Sequence, residues 1–381
     1  MRILIFSLVY YPRFVGGAEV AVKEITDRIP SEEIEFDMIA LNGGGEPAME
    51  KIGNVTVHRI FIGVNPFTKL LYPFAAFFKA RSLHGHKRYD ASWSIMANRA
   101  GFAALFFKWA NPKVPFILTL QEGDPLDYPR RRAWFVYPLF KHIFRKADRI
   151  QAISTFLADW AGKMGAVCPI SVIPNAVDIR LFSGKIPENE SAALKNTLGK
   201  KEGDVFLVTT GRLVAKNATM DVIQALPLLP LNVKFLILGA GELESDLKAL
   251  VLNLQLGFRV SFLGYIPHKN MPKYLQVSDI FIRPSLSEGL GNSFLEAMAA
   301  GIPVIATPVG GIPDFLTDGE TGLFCEVNNP RSIVQKVQKL IKDTESRDYI
   351  IKNAREMVKR KYQWEKIARE MKEILLHPSA L

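Results

Sequence analysis

Two carboxylates, Glu288 and Glu296, are separated by seven residues that begin with a glycine-rich turn, Gly289, Leu290, Gly291, Asn292 and Ser293. A helical run, SFLEAMAA, starts at Ser293 and is closed by Gly301 and Pro303. One carboxylate is therefore expected on the loop before a helix and the other inside its first turns. Glycines at that point let the N–H groups of the helix start approach an anion closely. A carboxylate beside an anion seat is costly unless it accepts hydrogen bonds, so the hydroxyls of a sugar or a ribose are its natural partners. A second element, GRLVAK, brings Arg212 and Lys216 directly after the apolar run VFLVTTG. Beside the helix start, Arg as a fork and Lys as a point charge would make a clamp for a diphosphate. Taken singly, each feature is ordinary: a cation after a strand is usually a solvated residue, and a Glu pair is usually on a helix surface.

Short apolar runs hold these residues in place. The first half contains ILIFSLV (3–9), FDMIAL (36–41), VTVHRI (55–60), FILTL (116–120) and RIQAIS (149–154), separated by longer amphipathic segments. The second half contains VFLVTTG (205–211), VKFLILGAG (233–241), RVSFLG (259–264), DIFIRP (279–284), PVIAT (303–307) and GLFCEV (322–327). Buried strands alternating with helices predict an α/β chain with two doubly wound parallel sheets, whose ligands sit outside the carboxyl ends of the strands. Between the halves, VIPNAVDIRLF (172–182) is turn-rich and the stretch to Asp204 is polar, which marks the expected hinge.

A length of 381 residues suits two domains, and 48% hydrophobic against 23% charged residues excludes a disordered or fibrous chain. Cys168 and Cys325 are far apart with no His or Cys at metal-ligand spacing, so neither a disulfide framework nor a zinc site is indicated. The apolar runs are too short or too broken to span a membrane, and the opening MRILIFSLVYYPR reads as a buried first strand, since no small-residue cleavage site follows it. Net charge is +10, and residues 51–150 hold 17 Lys/Arg against 5 Asp/Glu together with 19 of the 40 aromatics.

In this order and at these distances the pieces resemble the retaining GT-B glycosyltransferases of glycosyltransferase family 4. The resemblance covers nearly the whole chain: GGAE (16–19), VIPNAVD (172–178), GRLVAK (211–216), GAGEL (239–243), SDIFIRPS (278–285) and EGLGNSFLEAMAAGIPVIAT (288–307), the last being the most specific. It implies two Rossmann-like domains facing a deep cleft. The acceptor-side domain would cover 1–183, joined by a C-terminal helix at about 363–381, and the nucleotide-sugar domain 184–362.

By the same resemblance Arg212 and Lys216 would bind the donor diphosphate, Glu288 the donor sugar hydroxyls and Glu296 the nucleotide ribose. Backbone groups of Gly289 to Ser293 would line sugar and phosphate. Gly16 and Gly17 would close over the phosphates beside the acceptor, and Ile266 with Pro267 would hold the base. The family commonly has a His after the strand matching FILTL, where this chain has Gln121, which can hydrogen bond but cannot carry a proton. Glu122, Asp124 and Asp127 are the neighbouring candidates for contact with the acceptor.

The implied activity is transfer of a sugar, with retention, from a nucleotide-diphosphate sugar to a hydroxyl of a glycan or lipid-linked acceptor. No Asp-x-Asp occurs, so no metal and no other cofactor is expected, and Arg212, Lys216 and the helix start would stabilise the leaving diphosphate. Other readings are a non-catalytic nucleotide-sugar-binding subunit, or a different GT-B enzyme such as an epimerase or phosphorylase. GAGELE lacks the third glycine of a dinucleotide fingerprint, which speaks against a dehydrogenase, and no nucleic-acid motif accompanies the basic region.

That region suggests instead an anionic membrane surface as partner, with the protein cytoplasmic and peripheral on the inner face of the cytoplasmic membrane. Its candidate contacts are Leu70, Leu71, Phe74, Phe77 and Phe78; Phe102, Leu105, Phe106 and Trp109; and Arg130, Arg131 and Arg132 with Trp134, Phe135, Phe140 and Phe144. Aromatic stripes at helical spacing are more often core, which only the fold decides.

Overall fold

The computed structural model describes residues 1–124 and 136–378. They divide into two compact units, Met1–Asn175 with the segment from Trp364 onward, and Ala176–Gln363.

The first unit is an eight-stranded sheet of β1 (Arg2–Phe6), β2 (Glu35–Leu41), β3 (Met49–Ile52), β4 (Val55–Ile60), β5 (Ala91–Ile95), β6 (Phe116–Leu120), β7 (Arg149–Ala152) and β8 (Ile170–Val172). The spatial order is β3-β4-β2-β1-β5-β6-β7-β8, parallel except for the β3–β4 pair. Every residue of β5 and β6 is buried, so both faces of the sheet are covered there. The C-terminal helix Trp364–Leu376 packs on the helix Gly17–Thr26 and buries Trp364, Ile367 and Met371, with ion pairs from Arg28 to Glu365 at 3.6 Å and from Lys372 to Glu33.

The second unit is a six-stranded parallel sheet of β9 (Val205–Thr210), β10 (Val233–Leu238), β11 (Val260–Gly264), β12 (Ile280–Arg283), β13 (Val304–Ala306) and β14 (Leu323–Phe324). Its order is β11-β10-β9-β12-β13-β14. Strands step outward on one side from β9 and on the other from β12. The switch point of this sheet therefore lies between those two strands, and the loops leaving their carboxyl ends diverge around it.

The boundary between the units falls after Asn175, earlier than the expected residue 183. The cause is the short helix Ile179–Ser183, which packs on the helix Asn292–Ala300 of the second unit. Phe182 is fully buried there, and the carbonyls of Phe182 and Gly184 accept from Gln276 at 3.4 and 2.7 Å. The polar stretch that follows, expected as part of the hinge, contains the helix Glu188–Thr197.

The aromatic stripes divide. Leu105, Phe140 and Phe144 are core residues, contrary to their selection as surface contacts; Phe140 and Phe144 pack on Trp160 of the helix Thr155–Lys163 at 6.2 and 4.9 Å. Leu71, Phe77, Phe102 and Phe106 are half-buried. Arg130, Arg131, Arg132, Trp134 and Phe135 lie outside the described residues, as does Asp127. Among the described residues no helix is long and apolar enough to cross a membrane.

Candidate functional site

The two loops expected to carry the chemistry both leave the switch point of the second sheet. Residues 211–216 follow β9, residues 284–291 follow β12, and the Leu286 N–H donates to the Lys216 carbonyl at 2.7 Å. Main chain packs on main chain here. Gly211 has φ +128°, and a Cβ on Gly239 would fall 1.8 Å from the Gly211 carbonyl oxygen. A Cβ on Gly241 would fall 2.4 Å from the Leu213 carbonyl oxygen. The N–H of Leu213 donates to Ala240 and that of Leu243 to Leu213, both at 3.1 Å. The glycines of GAGEL thus seat the loop after β10 against the loop after β9, a role that needs no dinucleotide.

Glu288 is held from three sides. Its Oε2 accepts from Arg283 Nη2 at 2.7 Å and its Oε1 from the Gly289 N–H at 3.2 Å. Its own carbonyl accepts from the Gly311 N–H at 3.1 Å, and a Cβ on Gly310 would overlap that carbonyl at 1.8 Å. Arg283, the last residue of β12, also donates to the Thr210 carbonyl at 3.2 Å and to Ser293 Oγ at 2.7 Å, and its guanidinium lies 4.3 Å from the Phe294 ring centre. Burial lowers the Arg283 pKa while Glu288 and Glu296 oppose the shift, and a guanidinium stays charged under such pressure. One buried cation therefore links β9, Glu288 and the start of the helix Asn292–Ala300.

Arg283 was not among the sequence candidates. The available signal was a lone Arg ending the apolar run DIFIR, since a charge in a buried strand needs a partner.

The helix Asn292–Ala300 starts at Gly291 with φ +95° and ends at Gly301 with φ +82°. Leu290 is buried, whereas Asn292 and Ser293 are half-buried. Glu296 Oε1 pairs with His268 Nε2 at 2.9 Å, and the His268 ring meets Phe182 edge-on at 5.2 Å. His268 was also missed, although it stands two residues after Ile266, which is half-buried, and next to Pro267, which is exposed. Arg212 is exposed and Lys216 half-buried on the turn Ala215–Asn217, and Asn217 Nδ2 secures that turn by donating to the Arg212 carbonyl at 2.6 Å.

The remaining candidates belong to the first unit. Gly16 precedes the helix Gly17–Thr26, and its N–H donates to Glu19 Oε2 at 3.0 Å; burial pushes the Glu19 carboxyl up from its ordinary pKa. After β6, Gln121 Oε1 accepts from Asn175 Nδ2 at 3.1 Å. Asp124 is exposed. Glu122 Oε1 accepts from the Ala97 N–H at 2.5 Å, while its Oε2 is buried with no hydrogen-bond partner. Burial raises the Glu122 pKa to about 7, aided by Asp124 and opposed by the backbone N–H groups around it.

The folded chain thus holds the Glu122 proton more tightly than the unfolded chain does. The stability contributed by protonated Glu122 is full below the ordinary carboxylate range and is lost as pH rises through about 7. Glu122→Gln should match the native chain at pH 5 and exceed it at pH 8 by up to about 3 kcal/mol, read from paired melts across that range. Parallel pH dependence in the two proteins would refute this. Among the described residues no group of three or more His, Cys, Asp or Glu side chains is arranged to hold a metal ion.

Comparison with known proteins gives matches in both halves. Residues 15–181 match the model described as Glycosyltransferase Family 4, and residues 190–357 the model described as Glycosyl transferases group 1. An uncharacterized glycosyltransferase of Methanocaldococcus jannaschii is 26% identical over 386 residues, 97% of this chain and 96% of that one. The N-acetyl-alpha-D-glucosaminyl L-malate synthase of Bacillus anthracis is 32% identical over 207 residues, 54% of this chain and 53% of that one. Among solved structures, Anabaena HepE in complex with UDP-glucose superposes with a TM-score of 0.79 at 20% identity, covering 99% of each chain, a likeness of fold.

Proposed function

The chain belongs to the family 4, group 1 glycosyltransferases and has their GT-B fold, and from that premise we propose that it transfers a sugar from a nucleotide-diphosphate donor to a hydroxyl of a glycan or lipid-linked acceptor, retaining the anomeric configuration and using no divalent metal. The observation that carries this reading is the arrangement at the β9/β12 switch point. A carboxylate fixed by Arg283, a glycine-led helix start and the loop bearing Arg212 and Lys216 lie at one end of a single sheet.

In this reading Arg212, Lys216 and the N–H groups of the helix start hold the diphosphate and take up the charge that develops on it. Glu288 accepts from sugar hydroxyls. Glu296, oriented by His268, accepts from the ribose, and Ile266 with Pro267 borders the base. The bond from the anomeric carbon to the phosphate oxygen breaks as the acceptor oxygen bonds on the same face, and the acceptor proton passes to the departing phosphate oxygen. No protein base is needed, which is compatible with Gln121 where the family commonly has His. Gly16 and Gly17 would border the donor phosphates, and Glu122 and Asp124 the acceptor.

The GDP-mannose-dependent mannosyltransferase of Corynebacterium glutamicum, 28% identical over 257 residues, and the UDP-glucose held by the solved structure support a nucleotide sugar as donor. Peripheral attachment at the inner face of the cytoplasmic membrane would bring the enzyme to a lipid-linked acceptor.

Screening nucleotides and nucleotide sugars for thermal stabilisation should single out one base, because a specific ligand stabilises in proportion to RT ln(1 + [L]/Kd). With that donor, product NMR should show retained configuration and turnover should persist in chelator. Inversion, or activity abolished by chelator and restored by magnesium, would count against the corresponding part. Nucleotide binding without any donor turnover would favour a non-catalytic subunit.

A further inference from the structure

We propose that the face made by the helices Pro66–Lys87, Arg99–Ala110 and Tyr137–Lys146 of the first unit docks on the surface of a bilayer rich in anionic lipid. On the first of these helices Phe67, Leu70, Phe74 and Phe78 are 66%, 63%, 55% and 65% exposed and recur at spacings of three and four, so they form one outward stripe. The opposite side of the same helix carries Tyr72, Ala76 and Ala80, which are fully buried, and Tyr72 donates its hydroxyl to the carbonyls of Ser7 and Ile39 at 2.9 Å. The helix therefore buries one tyrosine and small residues, holds Leu71 and Phe77 half-buried, and turns Phe67, Leu70, Phe74 and Phe78 outward. A helix placed only to cover a sheet would be oriented the other way round.

The stripe continues onto the neighbouring helices. Phe74 stacks on Phe106 at 5.6 Å, Phe106 lies 5.8 Å from Trp109, and Trp109, 47% exposed, meets His142 at 6.4 Å. Tryptophan and phenylalanine beside water suit the boundary between headgroups and acyl chains, where an apolar ring can be buried next to a polar neighbour.

Charge identifies the occupant. None of the three helices contains an Asp or a Glu. Lys87 is paired with Asp37 and Glu35, and Lys108 with Asp148. Among the described residues no carboxylate pairs with Lys69, Lys79, Arg81, Lys141, Arg145 or Lys146, and Arg81 lies over the Phe77 ring at 5.9 Å, next to the stripe. An acid-free cationic face around an apolar stripe is complementary to anionic headgroups. A second copy of the chain fits it poorly, since a two-fold contact would set the same cations against one another. The proposal does not depend on the donor chemistry.

Sedimentation with sucrose-loaded vesicles tests it. The protein should sediment with phosphatidylcholine vesicles containing phosphatidylglycerol, stay in solution with phosphatidylcholine alone, and be released as salt rises from about 50 to 500 mM. The double variant Phe67→Ser with Leu70→Ser alters exposed side chains outside the ring stack, so its melting temperature and nucleotide binding should be nearly unchanged, while partition into anionic vesicles should fall at least about tenfold. Arg81→Glu should also weaken partition, and most at low salt. Three results would overturn the proposal: a native protein that stays in solution with anionic vesicles at low salt, a double variant that sediments like the native protein, or a vesicle-free dimer that the double variant abolishes.

Discussion

Arg283→Met is expected to destabilise the protein by about 3 to 5 kcal/mol, the scale of removing one partner from a buried ion pair. Glu288 would lose the guanidinium 2.7 Å from its carboxylate, while the Thr210 carbonyl and Ser293 Oγ would lose a shared donor. The penalty arises mostly from the abandoned carboxylate, not from the loss of an attractive contact. Converting Glu288 to Leu in the same chain should therefore restore most of the stability, because an apolar pair of similar volume is close to neutral in such a position. Urea melts of the native, single and double variants decide this. A single variant within about 1 kcal/mol of the native protein would mean that solvent, and not Arg283, sustains the Glu288 charge.

Arg212→Ala is expected to leave stability almost untouched and to reduce turnover. The side chain is exposed, and only the carbonyl of this residue takes part in the turn, through Asn217. Removing one donor to a developing anion costs about 2 to 4 kcal/mol of transition-state stabilisation, or a fall in kcat of roughly 30-fold to 1000-fold. Arg212→Lys should recover part of that loss, since a point charge remains but the fork does not. Native turnover in the alanine variant would remove Arg212 from the donor site, whereas an intact kcat with a raised KM would make it a binding residue only.

The apolar runs disclosed most of the strands because a parallel sheet covered on both faces demands continuous burial, and continuous burial is easily read. β5 escaped for the converse reason. Its sequence, ASWSI, is interrupted by two serines, yet every residue in it is buried. The interruption is tolerated because Ser92 donates to the Pro115 carbonyl at 3.2 Å, and because Trp93 Nε1 finds Thr119 Oγ1 at 2.8 Å on β6. β3 and β8 escaped because edge strands of four and three residues leave too little periodicity to detect.

At the site, Glu288, Glu296 and the glycine turn were legible because their spacing along one segment fixes their geometry. Arg283 and His268 were not, because each acquires its meaning from a partner supplied by folding: Arg283 from the curl of its own loop, His268 from a helix 28 positions away along the chain. The aromatic stripes were only half legible. Helical spacing shows that a face exists, but the neighbouring elements decide which face is wetted: Trp160 covers Phe140 and Phe144, while Phe74 and Phe78 stay outward.

The glycines at 239, 241 and 310 have a practical meaning for anyone seeking to redirect the enzyme to another sugar. At each of them the first atom of any side chain would coincide with the main chain of a loop that bears a candidate ligand residue. A combinatorial library that randomises these positions would return mostly unfolded clones, whatever sugar is used for selection. Leu286, exposed, and Ser287, half-exposed, lie between Arg283 and Glu288 on the same loop and can vary without that collision. Diversity introduced there would vary that loop while keeping the main-chain contacts that build it.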